Sequence, residues 1–440
     1  MSLYPDRDIN GFQNPVLAKI PKWAFYVIIF MASVMVTTLF MLVLPKEWST
    51  NESSDYTSFY EPVARNILAG KGYTKTGTTI ETFYPPGYPI ILAAQFAISK
   101  ATSIPEPLVL QIFLVVFTAL SVLFLFDLAR RFSNTKSALI VAFLWMTYPF
   151  LLWLTKQPNS ELAFMAILFG ACDLFFSTIF IFVKKDALLI PAGLLFGCAM
   201  LVRPIAVFFP LFLIIVIWIS FRITSTTNSL KKTALLLIGV IVAVLPWEIY
   251  AFSNTGRVIF LSNNDSASMR GGLVYAVSDD LYKEQVRVPD DVRSLMLDTK
   301  RKYDDLNSTS KILGYLASQF VENPVAVFKL FGLKALRSWY ATDSQRLESY
   351  ILLIQIPYLI IILVGSRFSW KAGGVARKLL VGIWALVFIN WLMNIAVTST
   401  LRYMVPVIGL LFVTVAFIPL FTNRSPSHNR NRKSLISLSL

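Results

Sequence analysis

The sequence has few charged residues, one histidine and two cysteines, and each scarcity excludes a class of protein. Only 15% of the 440 residues are charged and 56% are hydrophobic, whereas soluble domains are roughly a quarter charged. This composition predicts an integral membrane protein. The single histidine, His428, excludes a metal site built on histidine ligands, although not one built on carboxylates. Cys172 and Cys198 lie inside apolar segments, so no disulfide framework is indicated.

The net charge of +15 does not by itself indicate a nucleic-acid-binding protein. The basic residues occur in short clusters between apolar runs rather than together on one soluble domain, and we therefore predict no nucleic acid partner. The first apolar run, Ala24–Leu44, lacks a small-residue cleavage site. We interpret it as a membrane span and not as a cleaved signal peptide.

Long apolar segments recur along the chain, and a helix needs about 20 such residues to cross a bilayer. The ten candidate spans are approximately 24–44, 107–129, 137–155, 161–183, 187–202, 204–221, 233–253, 349–366, 379–397 and 402–421. A further stretch, Ile90–Ile98, is too short to span and is predicted to be a helix at the membrane surface. We expect an all-α polytopic membrane protein with amphipathic helices and a small soluble segment in its outer loops.

The distribution of lysine and arginine predicts how this bundle is oriented. If the N-terminus is cytoplasmic, the inner segments contain 19 of the 40 lysines and arginines, as the positive-inside rule requires. The short outer turns then contain only Lys156, Arg203 and Arg402. We predict a multi-pass protein with both termini in the cytoplasm. The short loops and the lack of a retention signal favour the plasma (inner) membrane of a bacterium, and the alternative is an endomembrane.

Four parts follow from this topology. They are a transmembrane core at 1–253 that includes the first outer loop at 45–106, an outer soluble segment at 254–348, C-terminal transmembrane helices at 349–421, and a disordered basic cytoplasmic tail at 422–440. Within the outer segment, Pro324–Tyr340 alternates apolar residues with lysine and arginine, which indicates an amphipathic helix at the membrane interface.

The first outer loop contains the motif that is most informative about function. It reads D-Y-T-S-F-Y-E-P-V-A-R-N-I-L-A-G-K-G-Y from Asp55, and F-Y-P-P-G-Y-P follows from Phe83. Taken singly, Asp55 is compatible with a helix N-cap, and the Pro-Pro-Gly sequence with a simple turn. Further motifs along the chain are P-N-S-E at 158–161, L-V-R-P at 201–204, P-W-E-I-Y from 246 and L-R-Y-M-V-P from 401.

In this order and spacing, the motifs resemble the polyprenyl-phosphate-sugar-dependent glycosyltransferases of the GT-C fold. The group concerned is family 39, which is protein mannosyltransferase-like and related to the bacterial lipid A aminoarabinose transferases. The resemblance implies an integral-membrane glycosyltransferase with a bundle of about ten helices. Such an enzyme moves a hexose or pentose from a polyprenyl-phosphate donor to a lipid, glycan or protein hydroxyl on the non-cytoplasmic face.

In that family the acid of the first outer loop is catalytic, so Asp55 is the predicted general base. One base and one direct displacement imply inversion at the anomeric carbon. No cofactor is required by this chemistry. A divalent cation (Mg or Mn) held by Asp55 and Glu161 is left open as an alternative.

The predicted topology places three further charged residues at outer helix ends, at the depth of Asp55: Glu161, Arg203 and Arg402. Because arginine offers bidentate donors to phosphate, Arg203 and Arg402 are predicted to bind the donor phosphate. The alternative is that both arginines reach lipid headgroups. Glu161 is predicted to act with Asp55, and the alternative is that it only caps its helix.

Other residues are candidates for the wall of a substrate pocket. They are Tyr60, Glu81, Tyr84, Tyr88 and Glu248. The alternative for Tyr84 and Tyr88 is interface anchoring, and for Glu81 it is solvation of a loop.

Two other functions stay open at this point. A transporter or lipid flippase fits the number of helices and the intramembrane acid Asp173. A non-catalytic assembly protein would leave Asp55 more than about 15 Å from both arginines, since catalytic groups must reach a shared substrate.

Overall fold

The chain folds into a bundle of helices, described by a computed structural model for residues 21–45, 55–182, 185–221, 226–277 and 286–419. The predicted tail at 422–440 lies outside these residues. The α-helices are α1 (Lys22–Val43), α2 (Glu61–Leu68), α3 (Gly87–Thr102), α4 (Glu106–Phe132), α5 (Thr135–Met146), α6 (Pro149–Leu154), α7 (Ser160–Phe180), α8 (Leu189–Val202), α9 (Phe208–Phe221), α10 (Thr226–Thr255), α11 (Asp265–Leu273), α12 (Asp290–Arg301), α13 (Thr309–Glu322), α14 (Pro324–Arg337), α15 (Glu348–Ala372), α16 (Gly374–Ala396) and α17 (Leu401–Phe412). Short 3-10 or π-helical turns cover Tyr56–Tyr60, Asp186–Leu188, Pro204–Val207 and Val413–Phe417.

Six of the described helices are long and apolar enough to cross a membrane: α1, α4, α7, α10, α15 and α16. The remaining predicted spans correspond to shorter apolar helices at Thr135–Met146, Asp186–Val202, Pro204–Ser220 and Leu401–Phe417. The predicted all-α polytopic fold is confirmed. The predicted segment 137–155 is two helices, α5 and α6. The break comes before Pro149, whose ring nitrogen has no hydrogen to donate and which begins α6.

The short apolar stretch Ile90–Ile98 lies inside α3, a helix of 16 residues. Length alone does not decide whether it crosses the membrane, since α8 and α9 have 14 residues each and correspond to predicted spans. The surface position of this stretch stays a prediction. Tyr88, Leu92 and Phe96 are buried on one side of α3, so the helix packs onto the bundle and continues the first outer loop.

Close helix packing holds the bundle together, most clearly between α8 and α10. A Cβ atom on Gly193 would lie 2.0 Å from the carbonyl oxygen of Leu236, and one on Gly239 would lie 2.0 Å from that of Ile190. Lipid tails are as apolar as the side chains, so helix association in a membrane depends on such backbone approach. Nearly all residues of α7 are buried, which places this helix at the centre of the bundle.

Helices α11 to α14 form a separate hydrophobic cluster in the outer segment. Its fully buried residues include Val292, Met296 and Ile312. The predicted helix at Pro324–Tyr340 is present as α14. The loop that follows α14 returns the chain to α15 and therefore connects this segment to the bundle.

The polarity of α14 differs from the simple amphipathic prediction. Lys334 and Arg337 are buried, whereas Val325 and Phe328 are 60% and 67% exposed. The two basic residues face inward because each has a partner there: Arg337 donates to Glu348 at 2.6 Å, and Lys334 donates to the Val397 carbonyl at 2.8 Å.

Candidate active site

Asp55 lies at the start of the helical turn Tyr56–Tyr60, where an N-cap residue would be. Its side chain makes no capping hydrogen bond. Instead, Oδ1 accepts a hydrogen bond from the Tyr84 hydroxyl at 2.9 Å, and Oδ2 lies 3.5 Å from Nη2 of Arg402. The carboxylate is 33% exposed. Asp55 is thus held from two sides and open on another, which a capping role does not require.

The Tyr-Pro-Pro-Gly turn positions Tyr84 beside Asp55. A Cβ atom on Gly87 would lie 2.6 Å from the backbone of Leu201, so the turn packs directly on the end of α8. The hydroxyl of Tyr73 donates to the carbonyls of Tyr84 at 2.9 Å and Pro85 at 3.0 Å. Glycine is needed for this close approach, and the proline rings stiffen the turn.

Glu161 is buried between two guanidinium groups. Its Oε1 lies 2.7 Å from Nη1 of Arg203 and 3.2 Å from Nε of Arg402, and its side chain is 4% exposed. Asn159 caps α7 instead, because its side chain accepts from the Leu162 amide at 3.3 Å. A buried charge requires paired and hydrogen-bonded partners, so Glu161 fixes the positions of both arginines.

Arg402 is the centre of the site because each of its three nitrogens faces an acid. Nε faces Glu161 at 3.2 Å, Nη1 faces Asp343 at 3.0 Å, and Nη2 faces Asp55 at 3.5 Å. The Tyr403 ring lies under both guanidinium groups, with centroid distances of 4.7 Å to Arg203 and 4.9 Å to Arg402.

The four charged residues that the motifs singled out therefore meet at one end of the bundle. The separation expected for a non-catalytic assembly protein, more than about 15 Å, is not found, since Asp55 and Arg402 are 3.5 Å apart.

The three predicted pocket tyrosines form one aromatic cluster. The Tyr60 ring is 5.1 Å from the Tyr84 ring and 4.9 Å from the Tyr88 ring, measured between centroids. Tyr60 and Tyr88 are buried, so they support Tyr84 from behind. Burial and the negative charge of Asp55 raise the pKa of Tyr84 far above its usual value. Its hydroxyl consequently stays protonated and acts as a hydrogen-bond donor to Asp55.

Glu81 and Glu248 are not brought into contact with these charged groups. Glu248 accepts a hydrogen bond from the Leu261 amide at 2.9 Å and so anchors the chain after α10. The backbone amide of Glu81 donates to the Tyr73 carbonyl at 3.0 Å.

Asp343, which contacts Arg402, and Lys156, which lies near Asp343, are not among the predicted site residues. Asp343 lies in the loop between α14 and α15 and pairs with Arg402. Lys156 lies in the connection that leads to Glu161, half-buried over the Trp153 ring at 4.6 Å. Lys156 could have been found in the sequence, because it is one of the three basic residues in the short outer turns. Asp343 could not, because it belongs to no motif.

Within the described ranges, no group of three or more His, Cys, Asp or Glu side chains is arranged to hold a metal ion. Asp55 and Glu161, named above as the alternative ligands of a divalent cation, each have an oxygen that faces Arg402.

The intramembrane acid Asp173 lies elsewhere. Its Oδ1 is 3.5 Å from Nε of Arg131, and it accepts from the Ser177 hydroxyl at 3.4 Å.

Comparison with known proteins relates this architecture to a family. Residues 84–250 match the sequence profile of the family described as dolichyl-phosphate-mannose-protein mannosyltransferase. No curated protein sequence matches this chain significantly.

Solved structures give a similar result. The Archaeoglobus fulgidus oligosaccharyltransferase in its apo form aligns with a TM-score of 0.55 at 12% identity, over 94% of this chain and 52% of that one. The same enzyme tethered to an acceptor peptide containing the NVT sequon gives 0.56 at 13% identity, over 91% and 50%. ArnT from Cupriavidus metallidurans, bound to undecaprenyl phosphate, gives 0.45 at 12% identity, over 91% and 79%.

This chain spans about half the length of the archaeal enzyme, 52% in the apo form. At these identities the archaeal structures establish the fold, and the family profile adds the sequence relationship. The resemblance that the motifs predict is therefore confirmed: the chain is a membrane protein with the GT-C fold of glycosyltransferases, similar over residues 84–250 to the dolichyl-phosphate-mannose-protein mannosyltransferases.

Proposed function

We propose that this protein transfers a sugar from a polyprenyl-phosphate donor to a hydroxyl group of a lipid, glycan or protein acceptor. The observation that carries the proposal is the 3.5 Å contact between the exposed carboxylate of Asp55 and the guanidinium of Arg402. A base for the acceptor and a cation for the donor phosphate then lie side by side. The proposal includes no cofactor.

In the proposed reaction Asp55 accepts the proton of the acceptor hydroxyl. The acceptor oxygen forms a bond to the sugar C1 while the bond from C1 to the phosphate oxygen breaks, and polyprenyl phosphate leaves with the electron pair. A single displacement inverts the anomeric carbon. A positioned base of this kind contributes about 10²–10⁴ in rate.

Arg402 stabilises the negative charge that develops on the leaving phosphate. Fixed donors act in this way because they need no reorganisation during the reaction. Glu161 holds the guanidinium of Arg402 in place, and Arg203 in turn holds Glu161. The side chain of Arg203 is less exposed than that of Arg402, 17% against 27%, and its Nη1 pairs with the buried Glu161 at 2.7 Å. We therefore assign Arg203 a positioning role through Glu161 instead of the direct phosphate contact predicted from the sequence.

We further propose that this end of the bundle faces the outside of the plasma membrane. The support is the distribution of charge: Arg130 and Arg131 at the end of α4, with Lys231 and Lys232 at the start of α10, belong to the other end. Basic residues concentrate on the cytoplasmic side of membrane proteins.

Asp173, the acid that favoured a transporter in the sequence, has a structural role in this arrangement. Asp173 is paired with Arg131 and hydrogen-bonded by Ser177, which is a structural arrangement between neighbouring helices and does not need a transported ion.

The test replaces Asp55 with Asn, which keeps the size of the side chain and removes the base. The acceptor is first identified by mass spectrometry of glycolipids and glycoproteins, comparing a deletion strain with the complemented strain. Transfer by membranes that contain Asp55→Asn is expected to fall by about 10²–10⁴, with binding of undecaprenyl phosphate retained.

The matched control is Asp298→Asn, an outer acid paired with Lys302 at 2.9 Å, which is expected to keep full activity. Wild-type transfer by the Asp55→Asn protein would remove Asp55 from the role of base.

A further inference from the structure

Asp343 occupies a position at Arg402 that an anionic ligand would use. The residue lies in the loop 341–347, which joins the outer segment to α15, and its Oδ2 is 3.0 Å from Nη1 of Arg402. Of the three acids around Arg402 it is the most exposed, at 49%, against 33% for Asp55 and 4% for Glu161. It is therefore the carboxylate that leaves Arg402 at the smallest cost in buried charge.

A second cation, Lys156, lies near the same carboxylate but beyond ion-pair distance. Burial lowers the pKa of Lys156, and the nearby charge of Asp343 opposes that shift. Among the described residues, no carboxylate lies within ion-pair distance of Lys156, whose ammonium group is over the Trp153 ring at 4.6 Å. The ammonium of Lys156 and Nη1 of Arg402 thus share Asp343 as their neighbouring anion.

The loop is anchored on both sides of Asp343. The Thr342 amide donates to Glu348 at 3.1 Å, and the Leu401 amide donates to the Ala341 carbonyl at 2.8 Å. Gln345 donates to the Tyr275 carbonyl at 2.5 Å. With these bonds in place, rotation of the Asp343 side chain toward solvent suffices to free Nη1 of Arg402, while Nε and Nη2 keep their contacts with Glu161 and Asp55.

We propose that Arg402 and Lys156 form the subsite for the phosphate of the lipid-linked donor, and that Asp343 is the anion which this phosphate displaces. This inference rests on the proposed function and specifies how the donor is held. It replaces Arg203 by Lys156 as the second phosphate-binding cation.

Charge balance supports the exchange. With Asp343 in place, three carboxylates (Asp55, Glu161 and Asp343) accompany three cations (Arg203, Arg402 and Lys156). A phosphodiester brings one negative charge, so withdrawing Asp343 keeps the site neutral. When the sugar leaves, the phosphate becomes a monoester with further negative charge, which Lys156 and Arg402 neutralise. The return of Asp343 to Arg402 then promotes release of the lipid phosphate.

The experiment measures the dissociation constant of undecaprenyl phosphate for the full chain in detergent or nanodiscs. Removing the competing carboxylate by Asp343→Asn is expected to tighten binding fivefold to about tenfold, which is the scale of a modest coupling between two sites. Lys156→Met is expected to weaken binding to a similar extent. The matched control is Asp291→Asn, which removes an outer acid paired with Lys329 at 2.8 Å and is expected to leave the constant unchanged.

Asp343→Ala repeats the test with a different side chain, and a melting curve of each variant shows that it is folded. Weaker or unchanged binding in both folded Asp343 variants would overturn the inference, because Asp343 would then be a structural partner of Arg402. Inorganic phosphate is the second probe. Binding as tight as that of the lipid would overturn the lipid assignment in favour of a free phosphate.

The two proposals fail in different ways. Tighter binding by Asp343→Asn together with full transfer by Asp55→Asn would keep the subsite and remove the proposed base. Absence of undecaprenyl phosphate binding to the wild-type protein would overturn both.

Discussion

The two ends of the helix bundle each carry a cluster of charged residues, and the clusters differ in exposure and origin. The Asp127 cluster consists of Tyr26, Asp127, Arg130, Arg131 and Asp173. The Asp55 site consists of Asp55, Glu161, Arg203, Asp343 and Arg402. The side chains of Asp127 and Asp173 are each 10% exposed, whereas those of Asp55 and Asp343 are 33% and 49% exposed.

The Asp127 cluster is built mainly from neighbours on one helix. Arg130 and Arg131 follow Asp127 by three and four residues on α4, the spacing at which helix side chains meet. In the Asp55 site, the ion pairs join residues from five separate regions of the chain, up to 347 positions apart. The Asp127 cluster therefore neutralises charge at one helix end, whereas the Asp55 site leaves the carboxylates of Asp55 and Asp343 accessible to a ligand.

The largest expected effect is on the rate of sugar transfer, which should depend on the Asp55 site and not on the Asp127 cluster. Glu161→Gln removes the buried anion that fixes Arg402, and loss of one fixed donor typically costs about 10²–10³ in rate. Transfer per folded molecule is therefore expected to fall by about 100-fold or more. Asp173→Asn, the corresponding change in the Asp127 cluster, is expected to leave that rate unchanged. Equal transfer rates in the two variants would show that the two clusters do not differ in function.

The next effect concerns stability. Asp127→Asn removes the carboxylate shared by Arg130 and Arg131 and leaves Arg131 only its 3.5 Å contact with Asp173. Breaking a fully buried ion pair costs about 3–5 kcal/mol, and we expect a smaller loss here because the two arginines are 25% and 27% exposed. A clearly lower melting temperature in detergent is expected, with transfer per folded molecule preserved. Asp298→Asn serves as the exposed control. A large loss of activity in folded Asp127→Asn protein would show that this cluster also contributes to function.

Lys334 is a buried cation outside both clusters, and its described hydrogen bond goes to a carbonyl and not to a carboxylate. Burial lowers its pKa to about 7, below the ordinary lysine value near 10.4. Between these values the unfolded chain binds a proton that the folded chain does not, so the free energy of unfolding rises with pH, by at most about 1.4 kcal/mol per unit.

Lys334→Met should remove this dependence and raise stability at neutral pH. The measurement is the melting temperature from pH 7 to pH 9 in wild type and variant, with Lys329→Met as the exposed control. Parallel pH curves for wild type and Lys334→Met would contradict the expectation.

The smallest effect is expected at Tyr84. Tyr84→Phe removes the 2.9 Å hydrogen bond to Asp55, and a hydrogen bond to a charged group is worth about 1.5–3 kcal/mol. Because Arg402 still orients the carboxylate, we expect the lower end of that range, about a tenfold slower transfer. Tyr350→Phe, at a residue 67% exposed, is the control. Unchanged transfer by Tyr84→Phe would show that Arg402 alone positions Asp55.

Much of the fold could be predicted because its causes are local. Apolar length marks each membrane helix, and all ten predicted segments correspond to helices. Which residues of α14 are buried could not be predicted. Lys334 is buried because it donates to the carbonyl of Val397, which is distant in the sequence. Arg337 is buried because it pairs with Glu348, which lies beyond the end of the helix.

The site divides in the same way. Its four predicted charged residues belong to short motifs at helix ends. Because successive spans alternate in direction, these ends lie on the same side of the bundle. Asp343 belongs to no motif, and its place at Arg402 depends on how the loop 341–347 is anchored to Glu348 and Leu401. The sequence predicted which residues gather, and not which oxygen meets which nitrogen.

For this protein, the sequence alone was enough to predict the apolar helical segments and the four charged residues that come together, because hydrophobic length and charge are properties of single residues and short segments. Only the tertiary structure decided that Arg402 is shared among Asp55, Glu161 and Asp343. The physical reason is that an ion pair forms within a few ångströms, a distance that helix packing sets between residues far apart in the chain.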